Sequence, residues 1–280
     1  MQQPLIKQGW LRALLFLIAY LLFLIFAGTL IAFLSIAIPS LTIQPVYLSI
    51  IINLIASILM VFLFRTFIDR ESLKSLGFKW KGFSKEINIG FLTGLLLCLV
   101  IAVILWLMQL LQWYVDDISI TGLVTSLLIM IAVALAEELV FRGYVLNNLM
   151  QSMNRNGALV LSAIIFAVLH SLNPNFNLTA FLNILLAGLL LGINYIFTRN
   201  LWFGMMLHLS WNFIQGPILG FKVSGLELPT LLQQNIRGSV LLTGGDFGLE
   251  ASWLATVVFA IAIPVYYLLF QKKYLQEPSV

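Results

Sequence analysis

The chain has 280 residues, of which 61% are hydrophobic and 9% are charged, against about 25% charged residues in an ordinary soluble domain. A soluble domain of this size could not bury so much apolar surface, which excludes a soluble globular enzyme, a disordered chain and a disulfide scaffold. A membrane β-barrel is excluded too, because its strands alternate apolar and polar residues, whereas this chain stays apolar for about 20 residues at a time. The net charge of +4 reports membrane orientation rather than nucleic-acid binding. We therefore predict an all-α polytopic membrane protein.

Hydrophobic runs long enough to cross a bilayer, which takes about 20 residues, recur along the whole chain. They predict about eight transmembrane helices, at residues 11–38, 46–68, 87–113, 121–147, 157–171, 178–198, 201–220 and 251–271. The first run exceeds the roughly 7–15 residues of a signal-peptide core, so we expect it to be retained. No run repeats another, which disfavours the inverted repeats of many transporters.

The positive charges are distributed unevenly between the two sides that this helix order defines. With the N-terminus in the cytoplasm, the outer segments hold only Lys222 and Arg237. The cytoplasmic segments hold Lys7, Arg12, Arg65, Arg70, Lys74, Lys79, Lys81, Lys85, Arg155, Arg199, Lys272 and Lys273. Because cytoplasmic loops are enriched in Lys and Arg, both termini are predicted to be cytoplasmic. Residues 65–86 are predicted to form a basic cytoplasmic loop that lies along the lipid headgroups.

A few polar residues interrupt the apolar runs, and ionisable groups inside a membrane are costly and by default functional. Six of these residues lie within three runs: Glu137, Glu138 and Arg142 in the fourth, His170 at the end of the fifth, and His208 and Asn212 in the seventh. Glu138 and Arg142 are four residues apart on one helix face and are therefore able to pair. Glu137 lies about 100° around the helix from Glu138 and is free to point into a different cavity.

The depths of these groups are similar when residues are counted from the cytoplasmic ends of the runs. At about 1.5 Å per residue, Glu137 lies ~15 Å deep, His170 ~20 Å, and His208 and Asn212 ~10–17 Å. Such residues suit peptide hydrolysis, because a glutamate in a low-dielectric cavity can activate water and an imidazole can take or give a proton. A histidine and an asparagine on one ridge can donate hydrogen bonds to an oxyanion. Glu137, His170 and His208 could instead bind zinc with an open position for water, and the residues alone do not choose between the two.

Three motifs, Glu137-Glu138-x-x-x-Arg142, Phe166-x-x-x-His170 and His208-x-x-x-Asn212, resemble in order and spacing those of the CAAX protease and bacteriocin-processing (CPBP) family of intramembrane proteases. The flanking sequence, such as residues 137–144 and 220–225, also resembles that of bacterial members. The resemblance covers residues 121–225, where it implies the catalytic core. Residues 1–120 then form three N-terminal helices with the basic loop, and residues 226–280 form an outer loop and the last helix.

The resemblance implies a role for each motif residue. Glu137 would be the base that activates water, with Glu138 and Arg142 in support. His170 would be the second catalytic or metal-binding group, and His208 and Asn212 would bind the oxyanion or complete a metal site. The resemblance implies a multi-pass enzyme of the bacterial cytoplasmic membrane. Zinc is the one cofactor that it implies as possible. Its expected partners are the lipid bilayer and a peptide or protein substrate reached from the membrane or cytoplasmic side, with no nucleic acid.

Two other functions stay open at this point. In an ion-coupled transporter the glutamates and histidines would form a proton relay, but the chain lacks the discontinuous span pairs typical of that class. A non-catalytic membrane scaffold or immunity protein would keep the family fold and would tolerate Glu137→Ala, which the peptidase would not. The Glu138–Arg142 pair could serve helix packing alone, whatever Glu137 does.

Overall fold

A computed structural model describes residues 3–37, 45–116 and 118–275 of the chain. Within these residues, eight main helices lie at Gly9–Ala37 (α1), Pro45–Leu63 (α2), Ser84–Leu107 (α3), Ile120–Glu138 (α4), Arg155–Leu169 (α5), Leu178–Gly192 (α6), Trp202–Phe213 (α7) and Trp253–Leu275 (α8). The all-α polytopic class predicted from the sequence is confirmed. The last residue of the first predicted run, residue 38, lies outside the described residues.

Polar side chains cap the starts of α4, α5 and α6, of which α4 and α5 carry motif residues. Ser119 accepts a hydrogen bond from the Gly122 amide at the start of α4, and Asn154 accepts one from Gly157 at the start of α5. Asn177 does the same for α6. Each oxygen satisfies one of the amides that a helix start leaves without a partner. The helix starts are therefore set by single residues that follow the polar loops.

Seven helical stretches of the described chain are long and apolar enough to cross a membrane. The remaining predicted run, the seventh at 201–220, forms the shorter α7 and a π-helical turn at Ile214–Ile218. This helix still connects the two sides of the protein. Before it, the Leu201 amide donates to the Gly77 carbonyl at 2.9 Å, and after it the Leu219 carbonyl accepts from Trp113 Nε1 at 2.9 Å.

The ends of the helices define two faces of the molecule. The basic face consists of segments 3–8, 64–83, 150–154 and 199–201 with the end of α8, and it includes a hydrogen bond from the Leu5 amide to the Ile68 carbonyl. The loop face consists of segments 108–116, 170–177 and 219–252. Both ends of the described chain therefore lie on the basic face, as the count of eight runs predicts.

The loop face contains a small sheet that the sequence reasoning missed. We predicted one run over 87–113, but α3 ends at Leu107 and Leu111–Tyr114 forms strand β1. This strand pairs antiparallel with β2, Gln233–Ile236, with Leu111 opposite Ile236. The prediction of a longer helix was wrong because Leu110, Leu111 and Trp113 keep the segment after α3 largely apolar despite Gln109 and Gln112.

Glycines allow the closest helix contacts in the interior. A Cβ on Gly90 of α3 would lie 2.4 Å from the Phe203 carbonyl oxygen of α7, and one on Gly94 would lie 2.6 Å from that of Leu207. Small residues of this kind let helix backbones approach each other in membranes. The contact fixes α7, which carries His208, in the centre of the bundle.

Candidate active site

The polar residues of the fourth run lie where the α-helical hydrogen bonding of α4 changes to π-helical hydrogen bonding. The chain is α-helical to Glu138 and π-helical over Leu139–Leu146, and π-helical turns occur frequently at functional sites. Arg142 Nη1 donates to Glu138 Oε1 at 2.8 Å, and the Glu138 side chain is fully buried. Arg142 Nη2 donates to the Gly188 carbonyl of α6 at 3.0 Å. The predicted Glu138–Arg142 pair thus forms and also connects α4 to α6.

His170 lies where α5 ends and a short 3₁₀ turn begins. Its Nδ1 lies 2.8 Å from the Phe166 carbonyl oxygen. A carbonyl oxygen only accepts, so Nδ1 carries the proton of this hydrogen bond. The other ring nitrogen, Nε2, is 3.6 Å from Glu137 Oε2. The Phe166 carbonyl therefore orients the imidazole so that Nε2 faces the carboxylate.

His208 approaches the same carboxylate from α7. Its Nδ1 is 3.1 Å from Glu138 Oε1, and its Nε2 is 3.8 Å from Glu137 Oε2. Glu138 Oε1 also accepts from Arg142, so it is held as an acceptor for the Nδ1 proton of His208. The two imidazoles are consequently oriented alike, each with Nδ1 bound to an acceptor and Nε2 directed at Glu137.

Glu137 stands at the centre of this arrangement. Its Oε2 is buried and has no hydrogen-bond partner among the described residues, although an unpaired buried polar atom is costly. The side chain as a whole is 18% exposed, more than either histidine. A carboxylate with one oxygen held against two imidazole nitrogens, on a side chain that reaches the cavity wall, is suited to bind a water molecule or a substrate group.

The open space is a cavity of about 520 Å³, lined mainly by apolar side chains. Glu137, His170 and His208 all contribute to its wall. Asn212 also lines it and is 4% exposed, and it makes no side-chain hydrogen bond to another described residue. The structure therefore brings all six predicted site residues into one region, four of them at the cavity surface and the Glu138–Arg142 pair behind it.

Two further cavity residues were missed by the sequence reasoning, Glu250 and Ser224. Glu250 Oε2 accepts hydrogen bonds from the Ser224 amide at 2.6 Å and hydroxyl at 3.1 Å, and Oε1 accepts from Trp211 Nε1 at 3.3 Å. Burial raises the pKa of Glu250, while these hydrogen bonds lower it less strongly. The only signal in the sequence is a single acidic residue directly before the last hydrophobic run, and such residues are common at helix starts.

The predicted zinc ligands are Glu137, His170 and His208. Two imidazole nitrogens and one carboxylate oxygen are donor types that zinc takes. No group of three or more His, Cys, Asp or Glu in the described part of the chain, however, is arranged so that it could hold a metal ion.

A family comparison assigns the segment that carries these residues. Residues 118–214 match the family model of Type II CAAX prenyl endopeptidases, Rce1-like. This segment belongs to the Rce1-like family. No curated protein and no solved structure matches the chain significantly. The Rce1-like segment contains the three motifs with all six candidate residues, whereas Ser224 and Glu250 lie outside it.

Proposed function

We propose that the protein is an intramembrane endopeptidase in which Glu137 activates a water molecule to hydrolyse a peptide bond. One observation carries the proposal: the unpartnered Oε2 of Glu137 faces His170 Nε2 at 3.6 Å and His208 Nε2 at 3.8 Å within an apolar cavity. The Rce1-like segment supports it, because the family is described as endopeptidases. A general base needs this combination of access to water and partial burial.

The hydrolysis can be written with the groups present. Glu137 takes a proton from water as the water oxygen bonds to the carbonyl carbon of the substrate. The negative charge that develops on the carbonyl oxygen is stabilised by hydrogen bonds from His208 Nε2, when that imidazole is protonated, and from the Asn212 amide. The carbon–nitrogen bond then breaks as the leaving amine takes a proton from Glu137, with His170 beside it to share that proton.

Glu138 and Arg142 act through His208 in this proposal. The Glu138 carboxylate accepts the Nδ1 proton of His208 and stabilises a positive charge on the ring, so that Nε2 carries a proton for the oxyanion. Arg142 pairs with the Glu138 carboxylate and holds it in place. Both are therefore positioning residues, and neither contacts the substrate.

Zinc is the alternative proposal for the same side chains. A bound zinc ion would supply a Lewis acid and a water of lowered pKa. Metal analysis of the active protein decides between the two proposals.

The substrate class can be found by comparing membranes that contain wild-type protein with membranes that contain Glu137→Gln. We expect peptide fragments with new termini only in the wild-type sample, and Glu227→Gln, an exposed change on the loop face, should give the wild-type pattern. A parallel assay with prenylated and unprenylated CAAX peptides tests the substrate that the family description names. Identical fragment sets in the wild-type and Glu137→Gln membranes would contradict the proposed function and would favour the scaffold.

A further inference from the structure

The two faces of the protein differ strongly in charge. Of the Lys and Arg residues, only Lys222 and Arg237 lie on the loop face, and Lys222 is paired with Asp246 at 2.7 Å. Apart from Arg142 in the fourth run, the other twelve lie on the basic face or at the helix ends that meet it. Cytoplasmic segments of membrane proteins carry this excess of cations. The basic face is therefore cytoplasmic, and the loop face lies on the opposite side of the membrane.

The cavity that contains Glu137 is bordered by the loop face alone. Apart from Phe141 in the π-helical segment that continues α4, every lining residue outside the main helices comes from this face, namely His170, Leu172, Asn173, Pro174, Val223, Ser224, Leu226 and Glu250. Leu172 is 84% exposed at its rim. The described segments of the basic face contribute no lining residue.

Towards the basic face the cavity is closed by packed side chains. Beyond the site, every residue of Glu138–Leu149 is buried. Tyr144 in this stretch donates a hydrogen bond to Asp69 Oδ1 at 3.1 Å. The two oxygens of Asp69 also accept from Arg12 at 2.9 Å and from Arg65 at 2.8 Å. This buried ionic cluster joins the start of α1 to the segments that directly follow α2 and α4, on the basic-face side of the active site.

We propose that the cavity receives its substrate from the non-cytoplasmic side, as an apolar segment of a polypeptide anchored in the outer leaflet. This inference rests on the proposed function, and it keeps the expected access from the membrane while replacing access from the cytoplasm by access from the opposite side. The rim supports entry from the leaflet as well as from water, because α1 and α2 contribute Gly28 and Ser49, both exposed on the outer surface of the bundle. The peptide bond that is cut would lie near the outer end of the membrane-bound segment of the substrate.

Cysteine accessibility tests this proposal without a substrate. The natural Cys98 is buried, so the wild-type protein is the unlabelled control. We would introduce Val133→Cys in the cavity wall and Ile131→Cys two residues away on the outer surface of α4. Glu227→Cys and Lys81→Cys, both exposed, mark the loop face and the basic face. The probe is a cationic, membrane-impermeant methanethiosulfonate, which the carboxylates of the cavity attract.

In intact cells we expect the probe to react with Glu227→Cys and Val133→Cys and to leave Lys81→Cys unmodified. Val133→Cys should react at least tenfold faster than Ile131→Cys, because a thiol that faces lipid is protected. Leu172→Cys at the rim provides a second cavity position where packing is not disturbed. Protection of Val133→Cys and Leu172→Cys in intact cells, with reaction of both in inverted vesicles, would overturn the proposal. Labelling is independent of cleavage. If the labelling shows an outward-facing cavity but cleavage does not depend on Glu137, the proposed function is refuted and the direction of access is not.

Discussion

Removing Arg142 should destabilise the protein strongly, because it leaves the carboxylate of Glu138 charged and buried. In Arg142→Met the ion pair at 2.8 Å, the hydrogen bond to the Gly188 carbonyl at 3.0 Å and the contact of the guanidinium over the Phe166 ring at 4.7 Å are all lost. Breaking one side of a buried ion pair costs about 3–5 kcal/mol. At about 1.4 kcal/mol per tenfold change, the unfolding equilibrium constant should rise roughly 100-fold to 3,000-fold.

The measurement is reversible unfolding in mixed detergent micelles, followed by tryptophan fluorescence. Adding Glu138→Gln to Arg142→Met removes the uncompensated charge and should recover most of the lost free energy of unfolding. The exposed Arg237→Met is the control and should change it by less than about 0.5 kcal/mol. The reasoning is refuted if Arg142→Met lies within about 1 kcal/mol of wild type, or if the double variant is no more stable than Arg142→Met alone.

Three further predictions concern the metal, the packing and the pH dependence. The purified active protein should contain less than about 0.1 zinc ion per chain and keep its activity after chelation, whereas one zinc per chain with chelator-sensitive cleavage would favour the metal mechanism. Gly204→Ala should lower the free energy of unfolding by about 1–3 kcal/mol, since its Cβ would lie 2.8 Å from Glu138 Oε2; Gly28→Ala, with open space around it, should not. The pKa of Glu250 is raised in the folded protein, so its contribution to stability is present below its ordinary pKa and is lost as pH rises through the raised value. Thermal unfolding between pH 4 and 8 should therefore show wild type losing stability relative to Glu250→Gln as pH increases, and parallel profiles would contradict this.

The helices could be predicted from the sequence because the bilayer requires long apolar segments in which all backbone groups are paired within the segment. The predicted run at 121–147, for example, corresponds to a helical stretch over Ile120–Leu149. The site was visible for the same reason: in a chain with 9% charged residues, a polar group within an apolar run is conspicuous. Helical spacing also predicted the Glu138–Arg142 pair.

Contacts between distant segments could not be predicted. Nothing in the local sequence indicates that the Glu250 carboxylate holds the loop at Ser224 beside His170, because the three positions are far apart in the chain. Asp69 is similar: it was counted within a basic surface loop, yet it is buried between two arginines. Such ion pairs depend on how helices pack against each other, which periodicity within one helix does not specify.

The central claim is that Glu137 is the base of a peptide hydrolysis, and the rate of cleavage by Glu137→Gln tests it most directly. Wild type, Glu137→Gln and the loop-face control Glu227→Gln would be purified and shown to have the same thermal unfolding temperature. Each would then be assayed in proteoliposomes on a substrate whose fragments were found in the comparison of wild-type and Glu137→Gln membranes. The account predicts that Glu227→Gln cleaves at the wild-type rate, while Glu137→Gln is at least about 100-fold slower, the lower end of what a positioned general base contributes. Cleavage by a folded Glu137→Gln protein at the wild-type rate would contradict it.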